Sequence, residues 1–267
     1  MTAPSIYLNG ATVMSTPTER VLAIARDAGF AGIEARAERL LNHTDEVRAA
    51  ALAAASGEVF SLNGISLTLR PDGHMDRGVL EADLPPRVAI CNELGAVYLL
   101  AVAPRAPGLR VNDAMVGLRD ALELVAEGAR RAGIRVAFEF LGFRDCPVNT
   151  PALAAEVVDR VEGIEMVLDS CHWHASGGRP LGDYPVDRLA LVHLNDAPQA
   201  KPGSEIQDAD RILPGEGVIS LRELINELRS RGYSGPWSLE TFNPSYWGED
   251  PAQVAKRGLA AVKNVLR

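Results

Sequence analysis

Cysteine is scarce in this 267-residue chain: Cys91, Cys146 and Cys171 are odd in number and far apart, which argues against a disulfide framework. Positive charge is also in deficit. Lys and Arg total 27 against 35 Asp and Glu, a net charge of −8, and an acidic surface repels phosphate backbones and anionic lipid. No nucleic-acid partner and no membrane partner are therefore expected. No apolar run approaches the roughly 20 residues of a membrane span, and the N-terminus lacks the basic-then-apolar pattern of a secretory signal. A Gly-rich phosphate cradle, a low-complexity tract and an interdomain linker are missing too. These absences leave a cytoplasmic globular domain as the expectation.

The 47% of hydrophobic side chains suffices for one full core, and the length matches the roughly 250 residues of an eight-fold α/β barrel. Short aliphatic and β-branched runs alternate with longer helical segments. Strands are expected at Ser5–Asn9, Gly32–Arg36, Val59–Asn63, Val97–Val102, Arg135–Phe140, Ile164–Asp169, Leu189–Leu194 and Trp237–Thr241. Helical stretches between them include Pro17–Ala28, Thr44–Ala55, Asp113–Ala132 and Leu221–Arg231. Strands this continuously apolar argue for a parallel sheet buried on both faces. Several helices reach a glycine just before the next strand, at 28–30, 94–96, 132–134 and 231–233, which marks αβ junctions. Eight such units without a nucleotide turn favour an α/β single-domain (β/α)8 TIM barrel spanning 1–267 over a doubly wound open sheet.

Barrel enzymes place reactive groups at the C-terminal ends of their strands. There this sequence sets Glu34 and Arg36, Asn63, Glu139, Asp169, His193 and Glu240. Burying so many carboxylates and an imidazole at one mouth is strongly unfavourable without a compensating cation. Glu139, Asp169, His193 and Glu240 therefore read as ligands of one divalent metal ion. The set is oxygen-rich and open, unlike the closed thiolate tetrahedron of structural zinc. It suits Mn2+, Mg2+ or Co2+ and admits Zn2+. A metal so held acts as a Lewis acid on a ligand that chelates through a carbonyl and a neighbouring hydroxyl.

Other residues carry more than one reading. His172 and His174 flank Trp173 and would share a face in extended geometry, so the residues alone leave open which imidazole is the ligand. Glu34, Arg36 and Asn63 are candidate substrate contacts. Taken singly, Glu34 caps a helix or pairs with Arg36, and Asn63 bonds its own turn. Arg211 either meets substrate or pairs with Asp208 or Asp210. Asp196 is a candidate outer partner for Arg211 or His193. Trp173, Phe242, Tyr246 and Trp247 read as core or lid packing before they read as a sugar-facing wall. Cys171, beside His172, has no base oriented toward it and is not read as a nucleophile. The segments 68–75 and 197–212 carry no chemistry that the residues disclose.

Five stretches carry a family resemblance: FEFLGF at 138–143, VLDSCHWH at 167–174, VHLND at 192–196, RILPGEG at 211–217 and SLETFNP at 238–244. They resemble the sugar phosphate isomerase/epimerase superfamily, the xylose-isomerase-like barrels, and within it the inosose isomerases. The run DCPVNT at 145–150 adds to that likeness. The similarity extends from 8–12 and 32–36 to the final helix, with the second half the more specific. It implies metal ligands at Glu139, Asp169, His193 and Glu240, with Glu139 and Glu240 also the paired acid and base. It implies a substrate-oxygen contact at His172 and a substrate-binding cation at Arg211. The implied partner is a small polyhydroxy ketone or aldehyde, an inosose or a ketose, whose proton moves through an enediolate.

Three other functions share this fold. Dehydration of the 3-dehydroshikimate dehydratase type uses the same deprotonation. Phosphodiester cleavage, as in apurinic endonucleases, needs several metals and many histidines, whereas this chain has five. A non-catalytic binding or partner barrel would be expected to have lost a ligand. The C-terminal loops around Trp247 are a candidate contact for a homo-oligomer.

Overall fold

Strand and helix alternate along the chain as β1 (Ile6–Asn9), α1 (Thr18–Ala28), β2 (Gly32–Arg36), α2 (Ala37–Asn42), α3 (Thr44–Ala53), β3 (Val59–Ser66), α4 (Arg77–Leu94), β4 (Tyr98–Val102), α5 (Val111–Arg131), β5 (Arg135–Glu139), α6 (Pro151–Val158), β6 (Ile164–Asp169), α7 (Ser170–Ala175), β7 (Leu189–Leu194), α8 (Leu221–Ser230), β8 (Trp237–Leu239), α9 (Pro244–Trp247) and α10 (Pro251–Val265). In this computed structural model the described residues are 4–199, 201 and 203–267. Residues 1–3, 200 and 202 fall within the expected span of 1–267, and the last two within the 197–212 loop; they lie outside the described residues. All eight strands are parallel, pair in chain order and close through β1 and β8 into the barrel expected from the apolar pattern.

Boundary differences have local causes. β8 stops at Leu239 rather than Thr241, because the Thr241 N–H leaves the ladder to donate to Thr12 Oγ1 at 3.1 Å. β3 runs three residues beyond Asn63, to Ser66. Two of the junction glycines show why that residue is needed: Gly29 (φ 94°) and Gly95 (φ 65°) close α1 and α4 in the left-handed region. Helix α8 packs by period: Leu221, Leu224, Ile225 and Leu228 are its buried residues, the spacing of one helical stripe. Each such side chain contributes on the order of 1.5–3 kcal/mol by leaving water.

The 170–175 segment corrects the extended reading of His172 and His174. It is a helix, α7, so residues two apart point to different sides. His172 is buried and His174 is partly exposed. Asp169 caps this helix, its Oδ1 accepting from the His172 N–H at 2.8 Å. One candidate ligand thereby fixes the helix that carries a candidate substrate contact.

Candidate metal centre

Each candidate ligand arrives on its own strand. Glu139 ends β5, Asp169 ends β6, His193 is next to last in β7, and Glu240 follows the end of β8. One donor atom from each lies within 4.8 Å of the others, and all four side chains are buried. Among the described residues these four form the one such cluster of His, Cys, Asp and Glu.

The contacts within it are directional. His193 turns Nδ1 to Glu139 Oε1 (3.1 Å) and Glu240 Oε2 (3.2 Å), and Nε2 to Glu34 Oε1 (3.0 Å). Asp169 Oδ2 accepts from Asn195 Nδ2 (2.6 Å) and Arg211 Nη1 (3.2 Å). Glu240 Oε1 accepts from Asn9 Nδ2 (2.9 Å), Asn63 Nδ2 (3.1 Å) and Arg36 Nη1 (3.3 Å), while its Oε2 accepts from Arg211 Nη1 (2.7 Å). Glu139, by contrast, has the imidazole as its hydrogen-bond partner among the described residues.

That asymmetry separates the two glutamates electrostatically. Burial pushes the Glu139 carboxyl up to about 7, with His193 opposing the shift and Glu240 and Asp169 adding to it. Burial acts on Glu240 in the same sense, but His193, Arg211 and Arg36 outweigh it and hold that carboxyl low. Asp169 is raised by burial despite Arg211. His193 loses by burial, yet Glu240, Glu34 and Glu139 together hold its imidazolium well above the ordinary range. Desolvation of this order costs several kcal/mol per ion, and the cluster offsets it with protons and arginines. Three hard carboxylates and one imidazole nitrogen, converging in a buried place, fit a divalent cation.

Above the cluster opens a cavity of about 440 Å³, lined among others by Arg36, Asn63, Glu139, His172, Arg211, Glu240 and Phe242. The volume lies in the range of small-molecule sites. A larger groove of about 940 Å³ surrounds Glu127, Arg130, Glu162 and Glu165. It lies at the opposite, N-terminal end of β6, the end of a barrel that serves stability.

Several sequence-derived placements change. Glu34 does not line the cavity. It is fully buried below His193 and accepts from Asn9, Ser61 and Ser238 as well as facing the imidazole, so it neither caps a helix nor pairs with Arg36. Arg36 instead pairs with Glu38 (2.8 Å) and Glu240 (3.3 Å) and stacks on Phe242. Asn63 spends its amide on Glu240 rather than on its own turn. Asp196 holds neither Arg211 nor His193: its oxygens accept from the N–H groups of Ala197, Gly215, Gly217 and Ile219, tying down the loop after β7.

Arg211 is buried, not a solvent ion pair, and bonds Asp169, Glu240 and Asp208, while Asp210 pairs with Lys201. Its Nη2 lies 2.9 Å from His172 Nε2. A guanidinium only donates, so it assigns Nε2 of His172 as acceptor and leaves the proton on Nδ1. Burial and Arg211 both keep that ring neutral. Its Nδ1 is buried without a partner in the described structure, a donor suited to a substrate oxygen.

Phe242 lines the cavity, whereas Trp173 and Tyr246 are core. Trp247 Nε1 donates to the Ala11 carbonyl at 2.8 Å, fastening α9 to the loop after β1. All three cysteines are buried and free, and burial pushes the Cys171 thiol up to about 12, which removes it as a nucleophile. Asn9, Ser61, Asn195 and Ser238 were not singled out by sequence. Asn9 ends β1 and Asn195 follows β7 directly, the same positional signal that drew attention to Asn63.

Comparison with known proteins agrees with this architecture. The inosose isomerase of Halalkalibacterium halodurans is 35% identical over a stretch covering 49% of this chain and 49% of that enzyme, so the match spans about half of the relative's length. The 3-dehydroshikimate dehydratase of Pseudomonas putida is 28% identical over 94% of this chain and 40% of that protein. A solved structure described as the IolI protein with a binding zinc atom superposes with a TM-score of 0.88 at 24% identity, covering 98% of both chains. The model of the xylose isomerase-like TIM barrel family matches residues 22–265, and the chain belongs to that family.

Proposed function

We propose that this protein is a divalent-metal-dependent isomerase or epimerase of a small, uncharged polyhydroxy ketone or aldehyde of the inosose or ketose type. The observation that carries the reading is a pair of glutamates, Glu139 and Glu240, that belong to the ligand cluster and also line the cavity. Relatives named inosose isomerase support the reaction class, and the zinc-bound structural neighbour supports a divalent ion without choosing among Mn2+, Co2+, Mg2+ and Zn2+.

Glu139, Asp169, His193 and Glu240 would hold the ion, which when bound supplies Lewis-acid polarisation of a substrate carbonyl. β6 and β7 separate β5 from β8 in the ring, so Glu139 and Glu240 approach a bound carbon from different sides. One carboxylate takes the proton beside the carbonyl and the other returns a proton. Return to the opposite face of the same carbon is epimerisation. Return at the neighbouring carbon, with the hydroxyl proton passing to the former carbonyl oxygen, is isomerisation. The Nδ1–H of His172 donates to a substrate hydroxyl, and Arg211 stabilises developing negative charge on oxygen.

Dehydration of the 3-dehydroshikimate type is the second reading, favoured by the P. putida relative. The charge of the cavity weighs against an anionic substrate. Arg36 is taken by Glu38 and Glu240, Arg87 by the carbonyls of Gly64 and Asp83, and Arg211 by three carboxylates. An anion would meet arginines whose charge is already compensated by carboxylates, with the Arg211 Nε–H left as a donor without a partner in the described structure.

The test is metal analysis followed by deuterium uptake from D2O with inosose and a panel of ketoses and aldoses. The expected result is bound divalent metal and deuterium at the carbon beside the carbonyl. A metal-loaded protein that exchanges no substrate proton sinks the reading. Loss of water from 3-dehydroshikimate would replace it with the dehydratase.

His172→Ala should keep its metal, because only the backbone N–H of His172 touches a ligand. The variant should lose about 10–100-fold in kcat/KM, the worth of one hydrogen bond to substrate. Arg211→Ala should lose a similar amount. Loss of metal from the His172 variant would reassign the ligand, and unchanged kinetics in the Arg211 variant would reduce that arginine to a structural cation.

A further inference from the structure

Beneath the ligand cluster lies a second layer of polar side chains, spread over the contiguous strands β8, β1, β2 and β3. Its centre is Glu34, fully buried and outside the cavity lining. Glu34 Oε1 accepts from Asn9 Nδ2 (3.1 Å) and Ser238 Oγ and lies 3.0 Å from His193 Nε2, while Oε2 accepts from Ser61 Oγ (2.7 Å). The barrel register makes this possible, since Asn9 pairs with Glu34 and Glu34 with Ser61 across neighbouring strands. Asn9 is oriented in turn: its Oδ1 accepts the Ala11 N–H at 2.9 Å, so its amide nitrogen must face the carboxylates. That nitrogen also donates to Glu240 Oε1 at 2.9 Å.

A carboxylate at this depth is expensive, and a hydrophobic side chain of the same size would avoid the cost. Glu34 reaches neither the cavity nor solvent, and its route to chemistry is the imidazole it touches. We propose that Glu34, with Asn9, is a positioning residue of the metal centre. Glu34 anchors the His193 ring through Nε2 so that Nδ1 faces Glu139 and Glu240, and Asn9 ties that anchor to Glu240. The inference rests on the metal reading above. An outer carboxylate on a ligating histidine sets ring orientation and ligand basicity, and removing such a partner commonly weakens metal binding 10–100-fold.

The experiment is titration of the metal-free protein with Mn2+, Co2+ and Zn2+ by calorimetry, together with the visible absorption of the Co2+ form. Glu34→Gln keeps an acceptor but loses the charge, and Glu34→Ala loses both. Affinity should fall about tenfold in the first and about a hundredfold in the second. The Co2+ bands should shift and the KM at saturating metal should stay unchanged, while the metal-free protein melts lower in both variants because a buried charge pair is broken. Asn9→Ser, a smaller change, should weaken affinity severalfold and serves if the Glu34 variants do not fold. Wild-type affinity and an unshifted Co2+ spectrum in the folded variants overturn the proposal. So does a loss of affinity with an unshifted Co2+ spectrum and a rise in KM at saturating metal, which would make Glu34 a packing group. A wild-type protein that binds none of the three ions overturns the metal reading itself.

Discussion

Glutamine in place of Glu139 or Glu240 is expected to lower kcat/KM by about 10³-fold or more, since each substitution removes an acid or base worth 10²–10⁴-fold and also weakens a metal ligand. The two variants should differ in stability. Glu139 has one side-chain hydrogen-bond partner among the described residues and a carboxyl raised to about 7 by burial, so near neutrality glutamine imitates a form that the metal-free site already holds. Glu139→Gln should fold normally and melt, without metal, no lower than wild type. Glu240 receives Asn9, Asn63, Arg36 and Arg211 on its two oxygens. A glutamine amide there sets donor against donor and leaves Arg211 undercompensated, and breaking a buried pair costs about 3–5 kcal/mol. Glu240→Gln should therefore lose stability as well as turnover. Steady-state kinetics with thermal melts of both variants make the check. Full activity in either one would end the two-carboxylate mechanism.

How much of this was legible in the sequence follows a physical line. The barrel was readable because its strands are buried on both faces and so are continuously apolar, and the four clustered side chains Glu139, Asp169, His193 and Glu240 stood out because they interrupt that pattern at its ends. Glu34 was misread as a cap or an Arg36 partner because its contacts run sideways in the barrel, to Asn9, Ser61 and Ser238 on other strands. A register between distant strands leaves no trace in local spacing. Arg211 was open between solvent and substrate for the same reason: its carboxylate partners include Asp169 and Glu240, 42 and 29 residues away. His172 and His174 were given an extended geometry because nothing local announces α7, whose cap Asp169 belongs to the buried cluster. Asp196 was assigned to the site when it serves loop amides, a role that any buried carboxylate can take once a Gly-rich turn such as 215–217 folds over it. Helix α4 was not among the segments named from sequence. It carries Pro85 and Pro86 in its interior, on an exposed stretch, and Leu80, Leu84, Ile90 and Leu94 still bury one stripe.

Chelation of the metal should abolish turnover, and one of the divalent ions should restore it, with an affinity that rises with pH. The sign comes from the protons that the metal must displace. In the metal-free protein Glu139 holds its proton up to about pH 7, and the surrounding carboxylates keep His193 protonated well beyond its ordinary range. Ligation needs both groups deprotonated, so each displaced proton tightens binding by about tenfold per pH unit while its group is still protonated in the free protein. The slope should be steeper below about pH 7, where two protons leave, than above it, where His193 alone supplies one. Stability follows the same linkage. A carboxyl whose folded value is raised contributes stability that is present below its ordinary value and is lost as pH rises through about 7. The metal-free protein loses that contribution on going from acid to neutral pH, and the loaded protein, with Glu139 ionised on the metal, has none to lose. At a hundredfold excess over Kd the ion itself adds about 2.7 kcal/mol. The gap in melting temperature between loaded and chelated protein should therefore widen from pH 5.5 to pH 8. Calorimetry in buffers of different protonation enthalpy counts the released protons directly. An affinity indifferent to pH would mean that the ion binds somewhere other than on Glu139 and His193.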